Sequence, residues 1–158
     1  MNQAKNYDEM RSLLRLPQQN DKGYQAALYL FSTDADLTRI AKPCISEDGI
    51  AFQKIKNDAN WLGDKAKQVV EIANNLFNSA SVCSLAPADL AWLGYPLLEQ
   101  VCNSLFIAGD QCAVVIGHSA QGETTLTLDS SAWERNKQFA EKLQKMEATL
   151  SAELNIDR

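Results

Sequence analysis

Apolar positions in the first 43 residues fall at helical spacing in three short runs. Tyr7, Met10 and Leu14 recur at three- to four-residue steps, and Pro17 stops the run. Asn20 and Asp21 offer a helix start, after which Tyr24, Ala27, Leu28 and Phe31 share one side. Thr33-Asp34-Ala35-Asp36 reads as a capping box with Asp36 in the place usually taken by glutamate. The helix that follows turns Leu37, Ile40 and Ala41 inward and ends at Pro43. Three short helices in so little chain predict an irregular helical assembly rather than a long coiled coil.

The pattern is ambiguous over residues 44–61, where Ile50, Phe52 and Ile55 fit either an alternating strand or an irregular helical turn. It is clear again over 64–78. Ala66, Val69, Val70, Ala73, Leu76 and Phe77 fall at helical steps and give one wide buried face. Pro87 to Trp92 forms a short helical turn broken at Gly94, and a further helix opens near Pro96. In that helix Leu98, Val101, Cys102, Leu105 and Phe106 line a face and Glu99 is the sole charge, so it is expected to be surrounded on most sides.

Cys112 to Ile116 and Thr124 to Leu128 then read as two strands joined by a turn rich in small residues, Gly117 to Gly122. A lone hairpin is marginal, so this one must pack on helices or recruit a third strand, for which residues 50–55 are the candidate. Ser131-Ala132-Trp133-Glu134 is a second capping box and launches the longest helix, about residues 132–154. The fold expected is mainly helical α+β: an irregular multi-helix bundle with a β-hairpin near residues 112–128 and a long C-terminal helix. It is read as one domain over 1–158, with a helical body over 1–108, the hairpin within 109–129 and the C-terminal helix over 131–154. The helices at 64–78 and 96–108 are expected to form its centre.

Composition narrows the classes. Of 158 residues, 46% are hydrophobic and 22% charged, enough for a real core and too little charge imbalance for a disordered chain. The net charge of −5 argues against a generic phosphate-backbone binder. The first residues have no apolar stretch of the kind a secretory signal needs, and no window is long enough to span a bilayer. A cytoplasmic protein is the expectation.

The charge is unevenly laid out. From Gln68 through Glu134 there is no lysine or arginine, while seven acids stand there: Glu71, Asp89, Glu99, Asp110, Glu123, Asp129 and Glu134. Either this stretch is mostly interior, since Lys and Arg are seldom buried, or it is an acidic face offered to a basic partner.

Candidate chemistry is sparse. Gly117-His118-Ser119-Ala120-Gln121 resembles the surround of a nucleophilic serine, but Gln121 stands where a glycine is required, and a triad needs a second histidine that the sequence lacks. Ser119 and His118 are therefore read as hairpin-loop residues. Asp34 and Asp36 are explained by capping, and Glu47 and Asp48 by a turn before Gly49. Cys44, Cys83, Cys102 and Cys112 show no zinc-ligand spacing; small buried hydrophobes, a disulfide pair or reactive thiols at Cys44 or Cys83 are the readings left. Phosphate-loop and dinucleotide glycine signatures are absent. No catalytic, cofactor-binding or metal residue is assigned, and no cofactor is expected. Trp61, Trp92, Tyr95 and Trp133 are expected to plug gaps between helices, with anchoring of a partner as the alternative.

The run Tyr24 to Leu37 (YQAALYLFSTDADL), with Gly49-Ile50, Ala73 to Asn78 (ANNLFN) and Leu90 to Leu93 (LAWL), resembles a family of small bacterial and bacteriophage helical proteins of unknown function. The resemblance spans about residues 20–108. It implies a single helical domain in a bacterial or mobile-element setting, and with that a host-interaction or defence-related role; it assigns no catalytic residue.

The largest unexplained feature is the stripe Phe139, Leu143, Met146, Leu150 and Leu154, with Trp133 before it. These six residues are the candidate interaction surface. The stripe either docks on the chain's own helices or joins two copies in a homodimer. A small protein-interaction or regulatory domain, for example an inhibitor, is thus the expected function, with a protein partner, no membrane and no nucleic acid. The alternatives are an enzyme with a carboxylate or cysteine site and a nucleic-acid accessory protein. The latter would use Lys54, Lys56, Lys65 and Lys67, or Arg135, Lys137, Lys142 and Lys145.

Overall fold

Seven consecutive buried residues, Ala26 through Ser32, mark the helix around which the chain folds. In the computed structural model, which describes residues 2–156, α1 (Gln3–Arg11), α2 (Leu16–Gln19), α3 (Lys22–Ser32) and α4 (Ala35–Ala41) are followed by a 3₁₀ turn, Lys42–Cys44. A two-residue hairpin, β1 (Ile45–Ser46) with β2 (Gly49–Ile50), leads to α5 (Phe52–Ala59) and α6 (Asp64–Phe77). Then come α7 (Pro87–Ala91), α8 (Leu97–Ala108), the strands β3 (Ala113–His118) and β4 (Thr124–Asp129), and α9 (Ser131–Ile156). The mainly helical α+β bundle read from the pattern, with its hairpin and long last helix, is the observed architecture.

Its centre differs from the expected one. α6 and α8 each lie along α3, which also meets α1 and α4, and they touch one another far less. A helix that is apolar on every side can only be stable inside. Ala26 through Ser32 are buried all round α3, so α3 is that helix. Its one buried aromatic hydroxyl, Tyr29 Oη, accepts a hydrogen bond from Asn103 Nδ2 of α8 at 3.0 Å. An aromatic chain, Tyr24–Phe77–Phe52–Phe31, with centroids 4.7, 5.1 and 5.9 Å apart, ties α3 to α5 and α6.

Local signals act one residue away from where the pattern put them. Thr33 closes α3, its Oγ1 donating to Leu30 O at 2.7 Å. The N-cap of α4 is Asp34, whose carboxylate accepts from the amides of Asp36 and Leu37 at 2.9 and 3.0 Å. Pro17 does not end α1, which stops at Arg11; it sits in the first turn of α2, where its missing donor costs nothing. Tyr7, Met10 and Leu14 are buried as expected.

Residues 50–55 give no third strand to the long hairpin. Ile50 pairs with Ile45 across a turn at Glu47-Asp48, and Phe52, Ile55 and Ala59 then step by helical intervals into the core from α5. Gly49 is required at that turn: its φ is +123°, and a Cβ there would lie 2.9 Å from the Tyr24 hydroxyl. The β3–β4 ladder pairs Ala113 with Asp129 through His118 with Thr124. It turns Val114, Ile116, Leu126 and Leu128 toward the core and packs its second strand on α1. Packing on a helix is what stabilises an otherwise marginal hairpin.

The rotation of α8 is a further correction. Val101 is buried and Leu98 half-buried as expected, but Cys102, Leu105 and Phe106 are exposed, while Ser104 and Ile107 are fully buried. Ser104 is tolerated inside because its Oγ donates to Val101 O at 2.7 Å, within its own helix. The cation-free stretch is accordingly not mostly interior. Burial accounts for Val69 to Asn74 of α6, but from Ser79 to Glu134 most side chains are on the surface.

Candidate functional site

The six candidate residues all lie on α9. Asp129 at the end of β4 fixes where that helix begins: it accepts hydrogen bonds from the Ser131 amide at 2.9 Å and from the Ser131 hydroxyl. These bonds favour the ionised form and hold the Asp129 carboxyl below its ordinary range. Asp129 thus satisfies the amide of the helix's first residue from outside the helix, and the Ser131 hydroxyl donates to Asp129 instead of capping the helix as the sequence pattern suggests.

A short root ties α9 to the body. The Trp133 amide donates to Gln111 O at 3.3 Å, and Asn136 Nδ2 donates to Gln111 Oε1 at 2.9 Å. The Trp133 ring meets Phe106 of α8 edge-on, with centroids 5.0 Å apart at 79°. Beyond Asn136 nothing of the body covers the helix, and every described side chain from Lys137 to Asn155 is exposed. Phe139 is 64% exposed, Leu143 43%, Met146 60%, Leu150 57% and Leu154 70%. Docking of the stripe on the chain's own helices is thus not what the chain does. At 1.5 Å per residue, the segment from Phe139 to Leu154 extends the stripe roughly 23 Å away from the root.

Trp61, Trp92 and Tyr95 are also almost fully exposed, which overturns their assignment to gaps between helices. They stand at the α5–α6 and α7–α8 junctions, where the chain turns outward. Trp92 and Tyr95, like Leu105 and Phe106 of α8, are exposed and belong to the segment without lysine or arginine.

The catalytic suspects are taken up by structure. The Ser119 amide donates to Glu123 O at 2.8 Å, and Ser119 Oγ accepts from the Glu123 amide at 3.1 Å. The hydroxyl closes the hairpin turn, and His118 is exposed beside it. His118→Ala is expected to leave the melting temperature unchanged, and Ser119→Ala to cost about 0.5–1.5 kcal/mol, the worth of one hydrogen bond. A thermal melt of each variant checks this; labelling of Ser119 by a serine-directed active-site probe would contradict the turn assignment.

The cavity where the α3–α4 turn, α6 and the start of α8 meet holds about 310 Å³. Its two carboxylates are committed locally, Asp34 to capping and Asp36 to Arg39 at 3.0 Å. The four cysteines are unpaired, and burial pushes the Cys44 and Cys112 thiols up, away from the reactive thiolate. Among the described residues no group of three or more His, Cys, Asp or Glu could hold a metal ion, and no helix is long and apolar enough to cross a membrane. Comparison with protein-family models, curated proteins and solved structures finds no match to this chain.

Proposed function

We propose that this protein is an interaction module that works as a two-fold homodimer, α9 joining two copies and each copy carrying its helical body at the root. The observation behind this reading is the stripe of five large apolar side chains on a helix that its own body leaves uncovered. Apolar area exposed in such a continuous line is unfavourable in water and marks an association surface. A two-fold contact is self-complementary, so one packing event hides both stripes at once. Joining two bodies would also raise their avidity for any partner that itself presents two sites.

Leu143→Asp tests this directly, because it places a charge at the middle of the stripe. Since Leu143 is exposed on a helix with no buried side chain beyond Asn136, the variant is expected to fold normally and to run as a monomer where the wild type runs as a dimer. Light scattering over a concentration series, with thermal melts at low concentration, reads both properties. A wild type that stays monomeric throughout would overturn the proposal. So would a Leu143→Asp variant that melts far lower without any change of oligomer.

A further inference from the structure

We infer that the two copies pair parallel and in register, with Lys142 of each facing Glu147 of the other; this rests on the homodimer reading above. The stripe steps by four, three and four residues from Phe139 through Leu143 and Met146 to Leu150, which is the a/d spacing of a two-stranded coiled coil with Leu143 and Leu150 at a and Phe139 and Met146 at d. The next d position is Glu153 and the apolar line swings to Leu154, so the seam is about two heptads long. Its upper limit is also visible. The preceding a position is Asn136, whose amide is already bonded to Gln111 of the body.

The ring contact with the body lies beside the seam. With 3.6 residues per turn, Trp133, whose ring packs on Phe106, points roughly a quarter-turn away from the mean direction of the stripe, and Asn136 only about a tenth of a turn. Asn136 therefore closes the seam at the end nearest the body, and pairing starts one turn further on, at Phe139.

Charge chooses the orientation. Lys137, Glu141 and Lys145 fall at b, f and c, on the outer face, away from the seam and at the i,i+4 spacing of weak intrahelical pairs. Flanking the seam are Lys142 at g and Glu147 at e, and neither forms an ion pair among the described residues. In a parallel pair a g residue meets the e residue five positions further on in the other helix, so Lys142 meets Glu147 twice, once on each side of the axis. In the antiparallel pairing that buries the same four apolar layers, g meets g and e meets e. Lys142 would then face Thr149, and Glu147 would face Ala140, so neither charge finds an opposite one. Only the parallel pair uses both.

The decisive experiment is a charge swap on the full chain. K142E and E147K, each alone, would set like charges across both flanks and weaken self-association about tenfold or more. Mixed one to one, they would pair with each other, because each then supplies the charge the other needs, and the mixture would dimerise at least as tightly as wild type. The double variant K142E/E147K would dimerise like wild type. Light scattering of each sample and of the mixture gives all four readings. If both single variants dimerise as well as wild type, the parallel register is wrong and the dimer stands. If the wild type itself never dimerises, the homodimer falls and the register with it.

Discussion

Phe31→Ala should destabilise the protein by about 3–5 kcal/mol, the usual cost of deleting a fully buried aromatic ring. Phe31 has no exposure at all, lies on the helix with the most neighbours, and holds the end of the aromatic chain through Phe52. Its carbonyl still accepts from Thr38 Oγ1 after truncation, so the loss is one of packing and not of a hydrogen bond. For a chain of this size the melting temperature should fall by roughly 6–20 °C. Trp92→Ala removes a larger ring from a nearly fully exposed position and should leave the melt within about 0.5 kcal/mol of wild type. Urea denaturation of both variants tests the placement of α3 at the centre. A Phe31→Ala protein as stable as Trp92→Ala would contradict it.

What the amino-acid order made legible was the kind and rough extent of each long element. The hairpin strands, the helix from Asp64 and the C-terminal helix stand where apolar periodicity and turn residues put them, because those signals are local. Side-chain capping was less legible. Thr33 and Asp34, or Asp129 and Ser131, are interchangeable acceptors in a pattern, and only the backbone decides which one meets the free amides. The centre was missed for a different reason. The pattern of α3 offers one best face, Tyr24, Ala27, Leu28 and Phe31, but Ala26, Tyr29 and Leu30 fill the other sides, and an apolar residue on every side is itself the signal of burial.

The stripe on α9 was visible in full, but what covers it is a question about space and not about periodicity. A line of leucines looks the same whether it meets its own body or another chain. The tether at Gln111 and the ring contact between Trp133 and Phe106 decide that it leaves the body, and both depend on α8 being turned so that Phe106 faces outward. The candidate surface therefore hangs on a rotation the pattern could not supply. Leu97, Leu98, Val101, Leu105, Phe106 and Ile107 are spread so widely around the helix that Glu99, Gln100 and Asn103 do not single out one outward face, and Ser104, equally polar in sequence, is inside.

Ile107→Ala against Leu105→Ala tests that rotation. Ile107 is fully buried beneath α8, so its truncation leaves a cavity and should cost about 2–5 kcal/mol. Leu105 is nearly half exposed, and the same truncation should cost less than about 1 kcal/mol, since little of its area is removed from water on folding. The face expected from spacing alone, with Leu105 inward, requires the opposite order. Urea titrations of the two variants read the difference as a shift of midpoint at unchanged slope. Both should be measured at the same low protein concentration, because any self-association would stabilise the folded state by mass action and mask the smaller effect. If Leu105→Ala proves the costlier change, α8 is rolled inward by about a third of a turn. Phe106 then no longer meets Trp133, and the root that carries the α9 stripe away from the body is lost.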